Sequence, residues 1–289
     1  MKLLRYGPGG REQAGMLDSA GRIRSLEGLI SDINPSTIAS GRLAELALRE
    51  PSSLPLVEEP VRLGAPISGV GKVVAVGLNY AEHAREGGFQ VPSEPIFFMK
   101  AVTAISGPND PVIIPPGAEK VDWEVELAFV IGRTARYVRE ADAMAHVFGY
   151  TIINDVSERA FQLERGTQWV KGKSCDTFAP IGPWLVTADE IRAPHDLALW
   201  LEVNGHRYQS SRTADMVFRI PALLSTISRY MTLMPGDIVA TGTPPGVGAG
   251  LKPPVYLRPG DVMTLGIDGL GVQRQQAVSY NPAGDVEGA

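Results

Sequence analysis

Three carboxylates alternate along one short stretch of the chain, at Asp122, Glu124 and Glu126, and lead directly into the unbroken apolar run 127–131. An apolar run of this length favours a strand that is covered on both faces. Because side chains two residues apart lie on the same face of a strand, we expect the three carboxylates to share one face. The fold must therefore bury this strand and still accommodate a row of acids.

Crowded carboxylates predict a bound cation. Such groups repel one another and lose hydration when they are buried, so a fold that keeps them ionised usually supplies a positive ion. An oxygen-rich site favours Mg²⁺, with Mn²⁺ or Ca²⁺ as alternatives, over Zn²⁺. Asp155 is a further candidate ligand, because it follows the apolar run 149–153 at the expected end of a second strand.

Two plainer interpretations stay open for these residues taken alone. Glu124 and Glu126 are also consistent with the solvated face of an edge strand. Asp155 is equally suited to the N-cap of a helix over residues 156–163, since Asp is a favoured capping residue. Support for a metal site must therefore come from elsewhere in the chain.

A second candidate element is His83 with Glu86, which follows the strand-like run 73–76. Residues three apart share a face on a helical turn, so these side chains can form a hydrogen bond. A carboxylate that holds an imidazole in one tautomer makes it a better general base. The alternative is a surface turn in which the spacing is fortuitous. Gly87 and Gly88 close the segment and suggest a mobile element suited to a lid.

Six ordered segments of the chain resemble the fumarylacetoacetate hydrolase family. They extend from residue 76 to residue 248, and an ordered match of this extent is difficult to obtain by chance. One departure is Ala101, where many relatives follow the lysine with proline, so the loop around Lys100 is expected to differ. The matching segments are 76–80 with His83 and Glu86, 95–100, 122–128, 154–157 with Arg159 and Gln162, 171–178, and 241–248.

The resemblance implies a role for each matched side chain. His83 with Glu86 is implied to handle a water or a proton, and Lys173 is implied to take part in catalysis beside the substrate. The implied ligands of a divalent metal, usually Mg²⁺, are Glu124, Glu126 and Asp155. The residues implied to bind the substrate are Arg159, Gln162, Thr243 and Lys100.

The resemblance also implies an α+β, β-rich fold, a mixed β-roll with short helices that is commonly a homodimer. Residues 50–68 are rich in turn formers and charge, so we place a small N-terminal β/α module at residues 1–65 and a catalytic domain at residues 66–289. Local patterns predict individual elements. These are strands at 2–6, 15–18, 200–203, 238–240 and 262–265, a hairpin turn at Asn204-Gly205, and helices at 36–48 and 221–230.

Composition excludes several classes of protein. The 289 residues carry a net charge of −5 without any run of Lys or Arg, so neither a nucleic-acid surface nor an anionic-membrane surface is expected. A single cysteine, Cys175, excludes an intramolecular disulfide framework, and no neighbouring His supports it as a nucleophile. No apolar stretch is long enough for a signal peptide or a membrane span, so we expect a cytoplasmic enzyme that acts on a small oxo acid.

These features lead to the hypothesis of a metal-dependent hydrolase that cleaves a carbon–carbon bond in a 2,4-dioxo acid, either an acylpyruvate or a 2,4-diketo-3-deoxy sugar acid. The metal would chelate the substrate carboxylate and the adjacent carbonyl oxygen, and His83 would deprotonate the attacking water. The metal and Lys173 would stabilise the resulting pyruvate enolate. The products would be pyruvate and a carboxylic acid.

Neighbouring reactions use the same enolate chemistry and stay open as alternatives. They are oxaloacetate decarboxylation, hydration or isomerisation of 2-oxo-4-enoic acids, and the ureidoglycolate lyase reaction. Among the bacterial members that the whole chain resembles, hydrolases of 2,4-diketo-3-deoxy sugar acids are favoured, because the His83 and Glu86 pair is most useful when a water must be activated. A hypothesis of another class is a non-catalytic cation-binding protein, which would leave Lys173 without a role.

Overall fold

Strand structure dominates the protein. The computed structural model describes residues 1–58 and 60–282, and for Ala44 the backbone only. The strands in this part of the chain are β1 (Lys2–Tyr6), β2 (Gln13–Leu17), β3 (Ile23–Ser25), β4 (Leu63–Gly64), β5 (Val73–Gly77), β6 (Ile96–Lys100), β7 (Ile105–Ser106), β8 (Val112–Ile114), β9 (Val121–Asp122), β10 (Val125–Ile131), β11 (Val147–Asn154), β12 (Ser157–Glu158), β13 (Ala179–Thr187), β14 (Ala198–Val203), β15 (His206–Arg212), β16 (Ile238–Ala240), β17 (Val262–Ile267) and β18 (Gly271–Ser279).

The helices are short and lie between the strands. The α-helices are α1 (Pro35–Ala39), α2 (Arg42–Leu46), α3 (Ala81–Glu86), α4 (Arg159–Leu163), α5 (Val170–Lys173) and α6 (Ile220–Tyr230). The 3₁₀ helices are Pro51–Ser53, Val102–Ala104, Glu140–His146, Thr213–Asp215 and Gly248–Gly250. Within the described ranges, no helix has the length and apolar character that a bilayer crossing requires.

Most strands join one large sheet. Its path runs β3-β2-β1-β13-β11-β10-β16-β5-β6, with β4 paired to β1 and β7 paired to β13. In its middle, β10 and β11 pair antiparallel with Val125 opposite Asn154. Every residue of β10 is buried, which is the pattern of a strand covered on both faces. The apolar run 127–131 therefore forms the doubly covered strand that the sequence predicts.

A second sheet of five strands, in the order β15-β14-β17-β18-β8, packs beside the first. Strands β10, β11 and β13 contact β14, β17 and β18, and side chains from both sheets belong to one buried cluster. The predicted hairpin is confirmed, since β14 turns into β15 at Asn204 and Gly205, whose φ angles of 52° and 79° suit a tight turn. The α+β, β-rich fold class is also confirmed.

The first strands extend the large sheet. Strand β1 pairs with β2 and β4 and also with β13, where Leu3 lies opposite Leu185. Leu3 and Met16 lie in the same buried cluster as the β10 side chains. The domain boundary at residue 65 stays a prediction, and strands on both sides of it belong to one sheet.

The two predicted helices have different outcomes. A single helix over residues 36–48 is wrong in its extent, because the chain forms α1 and α2 with Ser40 and Gly41 between them. Gly41 has a φ of 75°, a left-handed conformation that interrupts a helix and that glycine adopts most readily. The helix predicted at residues 221–230 is confirmed as α6, with Leu223, Leu224 and other apolar side chains buried on one face.

Candidate metal centre and active-site cavity

Two adjacent strand ends bring three carboxylates together. Glu124 precedes β10, Glu126 lies within β10, and Asp155 follows β11. Because these strands pair antiparallel, the backbone N–H of Asp155 donates to the carbonyl of Glu124 at 2.9 Å. One carboxylate oxygen from each residue lies within 4.8 Å of the others, and all three side chains are buried. The interpretation of the glutamates as a solvated edge is therefore wrong.

Two buried lysines neutralise part of this charge. Lys173 Nζ donates to Glu124 Oε2 and to Asp155 Oδ2, each at 2.8 Å. Lys100 Nζ donates to Asp155 Oδ1 and to a backbone carbonyl. Asp155 is therefore held by lysines and is not a helix N-cap, a role that Glu158 fills in front of α4.

Glu126 has no cationic partner among the described residues. Its Oε2 accepts the backbone N–H of Gly242 at 2.7 Å. Burial raises the pKa of Glu126 well above its usual range, and the charges of Asp155 and Glu124 raise it further. Burial also raises the pKa of Glu124, but the charges of Lys173 and Arg159 together with the hydrogen bond from Lys173 outweigh this effect and hold that pKa well below its usual range. Glu126 is therefore the carboxyl of this cluster whose ionisation most needs an added cation.

The donor set fits a hard divalent cation. When all groups are ionised, the triad together with Asp122 supplies one negative charge more than Lys100, Lys173 and Arg159 supply positive charge. A carboxylate oxygen has two lone pairs, so one that accepts from a lysine can still bind an ion. Oxygen ligands suit Mg²⁺ or Mn²⁺ better than Zn²⁺. The residues that could hold the ion are Glu124, Glu126 and Asp155.

Asp122 does not join this triad, which corrects the expectation of three acids on one strand face. The strand is interrupted, since β9 ends at Asp122 and β10 begins at Val125. Asp122 accepts from Arg159 Nε at 2.9 Å and from the backbone N–H groups of Gly248 and Ala249 at 2.6 and 3.0 Å. It therefore anchors Arg159 to the loop that precedes β17.

A cavity of about 190 Å³ opens beside the carboxylates and brings most of the predicted site residues together. Glu86 and Asp155 lie behind its lining, in contact with side chains or backbone that line it. Lys100 was predicted to bind the substrate, but it is buried, its Nζ donates to Asp155, and it does not line the cavity. The predicted residues that line the cavity are His83, Glu124, Glu126, Arg159, Gln162, Lys173 and Thr243.

The predicted histidine and its partner share one turn of α3. His83 Nδ1 lies 3.5 Å from Glu86 Oε2, which is longer than a good hydrogen bond, and this nitrogen has no hydrogen-bond partner within the described ranges. Glu86 is instead held by Gly246, whose backbone N–H donates to both carboxylate oxygens at 3.0 and 3.1 Å. The arrangement therefore places the carboxylate of Glu86 beside Nδ1 of the imidazole.

Three further polar side chains of the cavity lining are Arg159, Gln162 and Thr243. Arg159 Nη1 donates to Gln162 Oε1 at 3.1 Å, and Nη2 lies 2.7 Å from Glu124 Oε1, an ion pair at an angle that is poor for a hydrogen bond. Burial lowers the pKa of Arg159, but the neighbouring acids outweigh burial and raise that pKa above its usual range. Thr243 Oγ1 donates to a β10 carbonyl at 3.0 Å and accepts from Gln209 at 2.8 Å.

Aromatic side chains that the sequence did not point to complete the cavity. Trp169 packs on Gly77 so closely that a Cβ there would lie 2.5 Å from the indole ring. Phe98 meets Trp169 edge-on with ring centroids 5.4 Å apart, and its own ring centroid lies 5.1 Å from Lys173 Nζ. One sequence signal was available, since Trp169 precedes Lys173 by four residues and thus shares a helical face with it.

Sequence comparison identifies relatives along almost the whole chain. Residues 72–278 match the profile described as fumarylacetoacetate hydrolase C-terminal. A relative from Burkholderia cenocepacia, named as a proposed hydrolase without a stated substrate, is 54% identical over 276 residues, which cover 95% of this chain and 98% of the relative.

Solved structures show the same likeness. A fumarylacetoacetate hydrolase from Exiguobacterium antarcticum is 37% identical with a TM-score of 0.84, over 97% of this chain and 100% of that one. Maleylpyruvate hydrolase from Sphingobium sp. SYK-6, solved with manganese(II) and pyruvate, is 33% identical with a TM-score of 0.79, also over 97% of this chain and 100% of that one. A 5-carboxymethyl-2-hydroxymuconate delta-isomerase from Mycobacterium smegmatis is 35% identical with a TM-score of 0.75, again over 97% and 100%. With a profile match over most of its length, this chain belongs to the fumarylacetoacetate hydrolase family.

Proposed function

We propose that this protein is a Mg²⁺-dependent hydrolase that cleaves a carbon–carbon bond in 2,4-dioxo acids and releases pyruvate and a carboxylic acid. One observation carries the proposal. A buried carboxylate triad and the imidazole of His83, whose Nδ1 faces the Glu86 carboxylate at 3.5 Å, flank the same cavity, with Glu124, Glu126 and His83 in its lining. The first group suits a divalent ion and the second suits proton transfer.

A divalent ion held by Glu124, Glu126 and Asp155 would supply Lewis acidity toward the oxygen atoms of an oxo acid. Support for Mg²⁺ comes from the carboxylate donor set, and Mn²⁺ is the ion found in the related maleylpyruvate hydrolase structure. Arg159 and Lys173 add fixed positive charge at the same end of the cavity. This end would therefore attract and orient the carboxylate of the substrate.

His83 would act as the base in the hydrolytic step. It would take a proton from water, and the oxygen of that water would attack the distal carbonyl carbon. The bond between this carbon and the methylene that lies between the two carbonyl groups would then break. The electron pair of that bond would pass to the pyruvate fragment, where the charge of Lys173 stabilises it. The proton on His83 would then return to the methylene carbon, which gives pyruvate, and the acyl group leaves as a carboxylic acid.

A second candidate is isomerisation of an unsaturated oxo acid. The structural likeness to a 5-carboxymethyl-2-hydroxymuconate delta-isomerase favours it. The same imidazole could move a proton between two carbon atoms without consuming water. Isomerisation would change the absorbance of the substrate without releasing pyruvate, so one assay distinguishes the two reactions.

The test follows pyruvate release from a set of 2,4-dioxo acids, with oxaloacetate for comparison, in the presence of Mg²⁺ or EDTA. We expect release from the dioxo acids that EDTA abolishes and Mg²⁺ restores, and a loss of about 10²–10⁴-fold in His83→Ala. His206→Ala is the matched control, since His206 lies exposed on β15 and outside the cavity. Pyruvate from oxaloacetate that survives His83→Ala would instead identify a decarboxylase.

A further inference from the structure

The lining of the cavity combines two chemically different sets of side chains, which meet where the Phe98 ring lies 5.1 Å from Lys173 Nζ. One set, the charged wall, consists of Glu124 and Glu126 together with Arg159 and Lys173. Such a division predicts a ligand with one charged end and one apolar end. The side chains of the apolar wall are Leu78, Phe89, Phe98, Leu163, Trp169 and Val247.

The apolar wall offers no unpaired Lys or Arg among the described residues. Arg159 and Lys173 are the basic side chains in the lining, and Glu124 engages both of them. Two further cations follow α4 but do not line the cavity. Arg165 lies over an aromatic ring at 4.9 Å, and Lys171 Nζ donates to the carbonyl of Arg165 at 2.7 Å. A second carboxylate on the substrate would therefore find no unpaired Lys or Arg side chain at this wall, among the residues that the structure describes.

Trp169 is the central element of the apolar wall. Its indole covers Gly77, where even a methyl group would overlap it, and its ring meets Phe98 edge-on. Trp169 directly precedes α5, the helix that ends at Lys173. The indole is therefore fixed in position relative to the charged end of the cavity.

Phe89 and Leu163 extend the apolar wall to the surface. They remain 46% and 49% exposed although both line the cavity. They come from separate segments, one after α3 and one at the end of α4. Apolar side chains that converge at one cavity mouth mark a binding surface, and an apolar group that reaches them would remove their area from water.

We propose that the cavity selects 2,4-dioxo acids whose far end is uncharged and apolar, and that Trp169 sets this specificity. The inference rests on the proposed function for the identity of the charged end. Burial of apolar area favours binding, whereas burial of an unpaired carboxylate opposes it strongly. Of the two substrate classes expected from the sequence, the wall favours acylpyruvates over sugar acids, because hydroxyl groups would lose water without gaining partners here.

A matched pair of substrates tests the proposal. 2,4-Dioxononanoate and 2,4-dioxononanedioate have the same chain length. The first ends in a methyl group, and the second ends in a carboxylate. We expect kcat/KM to be at least about tenfold higher for the monoacid. Along a series of alkyl tails, kcat/KM should rise roughly fourfold for each methylene that the wall covers. A preference for the diacid would overturn the proposal.

Variants of Trp169 test its role as the specificity residue. Trp169→Ala should lower kcat/KM for 2,4-dioxononanoate about tenfold, but change kcat/KM for 2,4-dioxopentanoate, which has only a methyl tail, by less than about threefold. Trp169→Phe should restore part of the preference. Trp200→Ala is the control, since Trp200 packs on Gly266 in the second sheet. An equal loss for both substrates in Trp169→Ala would show structural support and not specificity.

Ligands that cannot be cleaved separate this proposal from the proposed reaction. 2-Oxononanoate and 2-oxononanedioate share the charged head but lack the bond to be hydrolysed. By calorimetry with Mg²⁺ present, we expect the monoacid to bind at least about tenfold more tightly, and the difference to disappear in Trp169→Ala. If this order holds without any pyruvate release, the reaction is wrong and the specificity stands. The reverse order, or no binding of either acid, overturns the specificity.

Discussion

The carboxylate of Glu86 is held by the backbone N–H of Gly246, which donates to Oε1 at 3.0 Å and to Oε2 at 3.1 Å across 160 positions of sequence. Gly250 closes over the same side chain, since a Cβ at that position would lie 2.3 Å from Glu86 Cδ. The helix that carries His83 is therefore fixed to the loop that carries Thr243.

This contact allows the charge of Glu86 to be tested apart from its packing. Glu86→Gln keeps an acceptor for Gly246 but removes the charge that would stabilise protonated His83, so we expect kcat to fall about tenfold or more with little change in Tm. Glu86→Ala should also lower Tm, because the Gly246 N–H loses its acceptor. Pyruvate release and thermal unfolding measure the two effects. Full turnover in Glu86→Gln would contradict the role of the charge.

Glu126→Gln should separate metal binding from folding. The variant removes the carboxylate without a cationic partner, so the metal-free protein should be at least as stable as the wild type. The increase in Tm on adding Mg²⁺ should be largely lost, because one of three anionic ligands is neutral. Thermal unfolding with a Mg²⁺ titration checks both results. An undiminished Mg²⁺-dependent shift would remove Glu126 from the ligand set.

Lys100→Met should destabilise the fold. Lys100 and Asp155 are both buried, and removal of one partner of a buried ion pair costs up to about 3–5 kcal/mol. Because Lys173 still pairs with Asp155 in the variant, we expect a loss toward the lower end of that range. Urea unfolding in the absence of metal measures this loss. Arg207→Met is the control, since Arg207 pairs with Glu202 at the surface, where a pair contributes about 0–1 kcal/mol. If both substitutions lowered the free energy of unfolding equally, the buried pair would contribute no more to stability than the surface pair.

Asp18 should make the protein sensitive to acid. The backbone N–H of Arg22, with help from Arg24 and the N–H of Ala20, outweighs burial and lowers the pKa of Asp18 from 3.8 to about 2. Because the pKa is lower in the folded state, this stabilisation is fully present above the unfolded value and is lost as the pH falls toward about 2. Asp18→Asn should therefore be less stable than the wild type at neutral pH. The difference between their free energies of unfolding should become smaller as the pH falls. Urea midpoints measured across this range check the expectation, and a gap that stays constant with pH would contradict it.

Local patterns predicted the parts of the fold that depend on neighbours in sequence. Helix α6 follows from the spacing of Leu223, Leu224 and Ile227, and the hairpin follows from Asn204-Gly205, because each signal lies within a few residues. The position of the carboxylates at strand ends was likewise readable from the apolar runs that precede or follow them.

Contacts between distant segments were not predictable in this way. Lys100 contacts Asp155 across 55 positions of sequence. Nothing in the segment around Lys100 distinguishes a lysine that faces a substrate from one that pairs with a buried carboxylate of the protein. The separation of Asp122 from the other two carboxylates involves backbone N–H groups of Gly248 and Ala249, which a local alternation pattern does not contain. The contact between Trp169 and Gly77 was likewise not predictable, because Trp169 precedes α5 and Gly77 ends β5, far apart in sequence.

The two parts of the candidate site lie on elements that differ in local stability. The carboxylates lie within β10 or directly beside β10 and β11, in the middle of the large sheet, where we expect amide hydrogens to exchange mainly through global unfolding. His83 lies on a six-residue helix followed by Gly87, Gly88 and an exposed stretch, where local opening costs much less. On warming, we therefore expect His83 to leave its position before the carboxylate cluster is disrupted, so the proposed activity should be lost at a lower temperature than the proposed metal binding.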